Sequence, residues 1–156
     1  MKHPKSYDST PETRKRMGKV KLKGSKAECT FAKALWHKGY RYRRNDKRLP
    51  GSPDIAILKH RIAIFVDGEF WHGKDWASRK ERLVRNREYW IEKIEENIAR
   101  DQRNDQALLQ LGWTPIHFWE KEVLKKLPTC VAVIDDLIID LMVDKADIEL
   151  QLPDEI

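Results

Sequence analysis

Cysteine is scarce in this chain, with only Cys29 and Cys130 among 156 residues. The two stand far apart, each within an apolar helical pattern, so they read as buried thiols rather than as a disulfide or half of a zinc site. Long apolar runs are also missing. None approaches the ~18–20 residues needed to span a bilayer, and the basic first residues carry no apolar stretch of the secretory kind. The last two absences argue against membrane and export classes and lead to the expectation of a cytoplasmic protein. No segment repeats another, which removes solenoid architectures.

Charge, by contrast, is abundant. Charged residues make up 36% of the chain, and 31 Lys and Arg against 25 Asp and Glu give a formal net charge of +6. The length suits one domain with a single core. The charge is unevenly spread: residues 1–50 carry a net +12, residues 51–120 a net −1 and residues 121–156 a net −5. A basic first third beside a neutral, aromatic-rich centre suits a polyanion partner, most simply nucleic acid. A solvated basic segment that only aids solubility would have the same composition.

Residues 1–24 are polar and lysine-rich without sustained periodicity, and read as a basic, flexible DNA-binding arm. Ser25 is an N-cap for a helix to about Lys38, ended by Gly39. The apolar stripe of that helix is Phe31, Ala32 and Leu35, and Glu28 lies on the same face one turn back. A basic segment and a Pro/Gly loop, Leu49 to Pro53, follow. Two apolar runs, 54–58 and 62–66, are separated by only three residues and predict a β-hairpin. The second run is continuously apolar, as in a central strand covered on both faces. A long helix is expected over 79–111, ending at Gly112, then a strand over 113–119. A last helix, capped by Thr129, is expected to about Val143. Residues 25–143 thus form a single α/β domain with helices flanking a mixed sheet, and 144–156 an acidic, frayed tail.

Three clusters could carry chemistry. Asp54 opens the first hairpin strand, and Asp67 ends the second. A hairpin brings its open ends together, so the two carboxylates should be neighbours, and a hard divalent cation such as Mg2+ would relieve their repulsion. Two strand-end acids in solvent would share the same spacing. Next, Phe70 and Trp71 stand side by side in a glycine-flanked loop where only one could easily face a core. Such aromatics can stack on or wedge between bases, and His72, directly after them, is placed for proton transfer. Finally, the stripe Trp90, Ile91, Ile94, Ile98 on the long helix leads to Asn97 and Asp101, four residues apart on one face. Polar groups at the edge of an apolar stripe need partners, which ordinary salt bridges can also supply.

Together with TRKRM, SKAE, LPGSPD, DGEFWH, YWIEKIEENIARD and LGW followed by WE, these clusters resemble the very-short-patch-repair (Vsr) DNA mismatch endonuclease family over residues 12–120. That family lies within the restriction-endonuclease-like superfamily, whose three-layer core has a mixed central sheet flanked by helices. The resemblance implies that Asp54 binds the catalytic Mg2+, with the carbonyl of Val66 as a further ligand, and that His72 is the general base. It further implies that Glu28, Asn97 and Asp101 hold waters around the ion or orient that histidine. Phe70, Trp71 and Trp90 would wedge into the duplex beside a mismatch, and Met17 would insert from the minor groove.

Two departures matter. Asp67 replaces a histidine frequent in the family and, with Gly68 and Glu69, looks like the second acid of a PD-(D/E)xK nuclease, so Asp67 is also a candidate metal ligand and catalytic residue. The places of the family's structural zinc ligands read Glu69, Lys74, Trp76 and Lys121. Thiolate ligation is therefore lost, no zinc is expected, and packing by Trp76 and its neighbours should replace it. The implied activity is a Mg2+-dependent nick in one strand of double-stranded DNA beside a T·G mismatch. The enzyme would be a bacterial monomer acting at the nucleoid, with mismatch-repair proteins as possible partners. A nuclease for matched restriction-type sites is the near alternative, and a non-catalytic DNA-binding protein the distant one.

Overall fold

The computed structural model describes residues 25–151. The arm expected over 1–24, with Met17, lies outside the described residues, as do the final five residues of the tail. Helix α1 spans Lys26–His37. Ser25 caps it as its composition suggests, its Oγ accepting from the Glu28 N–H at 3.2 Å, and Gly39 follows the helix end with φ +98°. Strand β1 (Arg43–Arg44) lies in the stretch read only as a basic segment. Strands β2 (Ile55–Ile57) and β3 (Ile62–Asp67) form the expected hairpin, with Ile55 opposite Ile64.

The long helix is divided. Helix α2 covers Trp76–Arg82 and helix α3 Arg87–Gln110. Between them Leu83 is extended and Asn86 left-handed, with φ 52°. Asparagine tolerates that region, so the chain turns there without a glycine or proline to announce it. The Arg87 guanidinium bridges the gap by donating to the carbonyls of Leu83 and Lys80. Strand β4 (Thr114–Trp119) is followed by a short helix α4 (Glu120–Lys125) and then α5 (Leu127–Gln151). Helix α5 starts before Thr129, because Pro128 fits the first turn, where its missing N–H has no intrahelical role. It also continues past Val143, so residues 144–151 of the expected tail are helical.

The sheet order is β1-β2-β3-β4. The first two pairings are antiparallel and β3–β4 is parallel, a return crossing made by α2 and α3. Pro115 lies on the edge strand β4, where a missing N–H need not break a ladder. Alternation along β3 sorts its side chains onto two faces. Ile62 and Ile64 join the main core, packed with Phe31 and Leu35 of α1, Val123 of α4 and Ile134 of α5. Ala63 and Phe65 face the other way, against Leu108 of α3. Helices therefore cover both faces of a mixed sheet, the three-layer α/β arrangement expected. No helix among the described residues is long and apolar enough to cross a membrane.

The loop leading into β2 is pinned by Asp46, which is 6% exposed. Arg48 grips both its carboxylate oxygens, Nε at 2.9 Å and Nη2 at 2.8 Å, while the backbone N–H of Asp46 reaches the Pro53 carbonyl at 3.2 Å. The hydrogen bonds from Arg48 hold the Asp46 carboxyl at about 2, below its ordinary 3.8. Stability from this group is therefore present in full above the ordinary value and is lost as the pH falls toward 2. Denaturant titrations along a pH series should show Asp46→Asn less stable than the parent above about pH 4, with the gap closing near pH 2. A gap that stays constant with pH would mean that the charge of Asp46 plays no part.

Candidate active site

The site forms where the β2–β3 hairpin opens beneath α3. Asp67, the last residue of β3, shares the face of Ala63 and Phe65 and so points toward α3, buried at 6% exposure. Asp54 arrives from the opposite strand, its Oδ2 accepting from the Val66 N–H at 2.7 Å. His72 comes from the loop after β3, and Asp101 from α3. A cavity of about 400 Å³ is lined by Asp54, Val66, Asp67, His72 and Asp101, with His117 of β4 and Asp105 of α3 among its other walls.

The electrostatics follow from crowding carboxylates in partial burial. Burial pushes the Asp54 carboxyl up to about 7; the charges of Glu28 and Asp67 add to this, and the Val66 N–H opposes it. His72 Nδ1 lies 2.6 Å from Asp101 Oδ2, and its Nε2 lies 3.8 Å from Asp67 Oδ1. Burial alone would lower the His72 pKa, but the bond to Asp101 and the charge of Asp67 outweigh it and raise it. At His117 burial likewise pulls down, while bonds to Asp67 and Asp105 push the pKa up to about 9.

Glu28 and Asn97 do not line the cavity. Glu28 is buried on α1 and ion-paired with Arg44 at 2.8 Å, so Asp101 is the acid that touches His72. Asn97, also buried, donates to the Trp71 carbonyl at 3.0 Å. It thereby bolts the aromatic loop to α3 one helical turn before Asp101. Phe70, Trp71 and Trp90 form an edge-to-face cluster, with ring centroids 4.9–5.7 Å apart, and all three are half-buried.

His117 and Asp105 went unread in the sequence. A strand histidine next to core Phe118 carries no motif, although Asp105 follows Asp101 by one helical turn and was visible as such. Glu69 turns away from the cavity and accepts from the Lys121 N–H at 2.8 Å, capping α4 from outside. This bond, with the Lys74 ammonium 5.9 Å from the Trp119 ring centre, joins the loop to the end of β4. Trp76 instead donates to Glu95 of α3.

The donor set suits a hard divalent cation. Asp54 and Asp67 could supply carboxylate oxygens and Val66 a carbonyl, and Asp54 is a carboxyl that burial and like charge hold near protonation. An adjacent dication reverses that balance. Ligand atoms of Asp67, His72 and Asp101 also lie within 4.8 Å of one another. His72 Nδ1 is already engaged by Asp101, so the oxygen-rich set is the better match for Mg2+.

A family profile described as DNA mismatch endonuclease Vsr matches residues 7–78. The chain is 46% identical over 132 residues to the type II nicking enzyme V.NmeDIP of Neisseria meningitidis serogroup C, covering 84% of this chain and 89% of that one. It is 49% identical over 118 residues to the type II nicking enzyme V.HpaIIP of Haemophilus parainfluenzae, covering 74% and 84%. Over 106 residues it is 35% identical to the DNA mismatch endonuclease Vsr of Escherichia coli K12, covering 68% and 67%.

The loop that carries Phe70, Trp71 and His72 turns at Gly73, whose φ is +70° and where an added Cβ would lie 2.5 Å from Ile98 Cδ1. Gly73→Ala should lower unfolding free energy by about 1–3 kcal/mol, from the left-handed backbone and the clash together. Adding Ile98→Ala should relieve the steric part only, so the double variant stays below Ile98→Ala alone. A Gly73→Ala protein that unfolds at the parent's urea concentration would contradict this turn.

Proposed function

The chain belongs to the Vsr family of DNA mismatch endonucleases, and from that premise we propose that it nicks one strand of duplex DNA beside a T·G mismatch, with Mg2+ held at Asp54, Val66 and Asp67. The carrying observation is the aromatic cluster of Phe70, Trp71 and Trp90, two of whose rings directly precede His72, the partner of Asp101, in one loop. Flat rings that enter the stack cost least at a pair that opens easily, and a T·G pair opens more easily than a matched one. A second reading, nicking at matched sites, takes support from the relatives named type II nicking enzymes.

Hydrolysis of a phosphodiester builds negative charge on the phosphoryl oxygens and the leaving oxygen. When bound, the divalent cation supplies Lewis-acid stabilisation of that charge. Asp101 accepts from His72 Nδ1–H, which fixes the tautomer and leaves Nε2 facing the cavity as the proton acceptor. The raised pKa of His72 makes the neutral ring a stronger base toward an attacking water. Asp54, clamped by the Val66 N–H, and Asp67 present their oxygens to the same cavity. Asn97 keeps the loop of His72 seated on α3, and Glu28, ion-paired with Arg44, still contributes to holding the Asp54 carboxyl up.

The test is a pair of labelled duplexes identical except for T·G or T·A at one position, incubated with protein and Mg2+ or with EDTA. A Mg2+-dependent nick in the T strand of the T·G duplex alone is the expected result. Equal nicking of both duplexes would overturn mismatch specificity in favour of matched sites. Asp54→Asn should slow nicking on the order of 10³-fold, about 4 kcal/mol of transition-state stabilisation, while duplex binding persists. Binding of DNA by the parent with no nick under any divalent metal would sink the nuclease reading itself.

The wedge has its own check. Phe70→Ala with Trp71→Ala should erase most of the preference for the T·G duplex, with stacking worth about 1–3 kcal/mol per ring. Nicking of a duplex already unpaired at that position should fall much less. Equal losses on both substrates would argue against the wedge.

A further inference from the structure

Asp67 poses a physical problem that its own strand does not solve. The residue is 6% exposed, and a buried carboxylate is costly unless both oxygens find donors or a cation. One oxygen is answered from the neighbouring strand: His117 Nδ1 lies 2.6 Å from Asp67 Oδ2. The other, Oδ1, faces His72 Nε2 at 3.8 Å, on the cavity side.

His117 is itself held from three directions. Its ring stacks on Phe65, centroids 4.6 Å apart and planes 11° from parallel. Its Nε2 meets both oxygens of Asp105, each at 2.8 Å. Its backbone is fixed by the β3–β4 ladder, opposite Phe65. Ionised carboxylates only accept, so both ring nitrogens donate here. Asp105 stands four residues after Asp101 on α3, so one helix face supplies the acid behind each imidazole. The result is a continuous line: Asp101, His72, Asp67, His117, Asp105.

We propose that His117, anchored by Asp105 and Phe65, is a positioning residue that ties down Asp67 Oδ2 and so presents Oδ1 to the cavity as a cation ligand. This rests on reading the cavity as the nicking site. A carboxylate pinned at one oxygen has lost its rotation about χ2, so the geometry needed for a divalent ion exists before the ion arrives. Partners of this kind, one bond behind the ligand, typically hold a tenfold to hundredfold share of metal affinity or turnover.

His117→Leu removes both donors and keeps bulk against Phe65; His117→Asn keeps a donor near the Nδ1 position but cannot reach Asp105. Mn2+ binding is followed without DNA by the paramagnetic signal of the free ion, and nicking is followed on whichever duplex the parent cleaves. His117→Leu should weaken Mn2+ binding about tenfold or more and lower turnover about tenfold to hundredfold, with KM for DNA little changed. His117→Asn should recover most of both. Asp105→Ala, at a helix position where alanine folds well, should give a loss of about threefold through the loosened ring, and it decides the matter if His117→Leu does not fold.

Parental Mn2+ affinity and turnover in His117→Leu, or in Asp105→Ala where it alone folds, would overturn the assignment. So would equal losses in His117→Leu and His117→Asn that track thermal stability, since packing alone would then explain them. A parent that binds Mn2+ and nicks neither duplex would refute the nuclease reading separately.

Discussion

The cost of gathering carboxylates at one end of a hairpin governs this fold more than any other single constraint. Asp54 and Asp67 are brought within mutual influence because β2 and β3 pair antiparallel, Glu28 joins them from α1, and each is answered differently. Glu28 receives a guanidinium from β1, Asp54 a backbone N–H from β3, and Asp67 an imidazole from β4. Three of the four strands thus spend a donor on this acid cluster. Asp54 still remains pushed up to about 7, the residual that a divalent cation would remove. A protein needing only a stable hairpin would place Thr or Val at such positions, so the strain signals a demand from outside the fold.

Helix α3 acts as the ruler of the site. Asn97, Asp101 and Asp105 recur at four-residue steps and therefore line one face. They fasten, in order, the Trp71 carbonyl, His72 and His117. The buried Leu108 anchors the same helix against Ala63 and Phe65. Loop, strand and helix are registered to one another through side chains that are polar because they must make these bonds, not because they are exposed.

That division explains what the amino-acid order revealed. The hairpin, the Ser25 cap and the buried stripe of α1 follow from local rules, short apolar runs and a hydroxyl before a helix, so they could be read without tertiary information. The neighbourhood of Asp54 and Asp67 followed from the hairpin alone. Strand β1 was hidden, because two arginines carry no strand pattern and Arg43–Arg44 pairs only through its backbone. The break between α2 and α3 depends on a left-handed Asn86, a conformation chosen by context. His117 was unreadable for a deeper reason: its partners are 50 residues back on β3 and 12 back on α3, and only a parallel crossover brings them together. The direction of Glu69, toward the Lys121 amide rather than the cavity, is equally a product of the crossover.

Phe70 and Trp71 of the aromatic cluster share one short loop with His72, the proposed base, and this sets how recognition and chemistry would be coupled. Phe70, Trp71 and His72 are consecutive, while their restraints come from α3 at Asn97 and Asp101, one helical turn apart. A force on the rings that moves the Trp71 carbonyl strains the Asn97 bond and shifts the backbone that carries His72. The 2.6 Å contact with Asp101 tolerates little of that shift before the imidazole loses its orientation. A duplex that admits the rings without resistance leaves the loop seated on α3 and the imidazole aligned. One that resisted them would work against the same two bonds that hold Trp71 and His72 on α3. On the proposed reading, discrimination would reach turnover as well as binding, because the rings proposed to read the duplex and the imidazole proposed to take the proton hang from one segment.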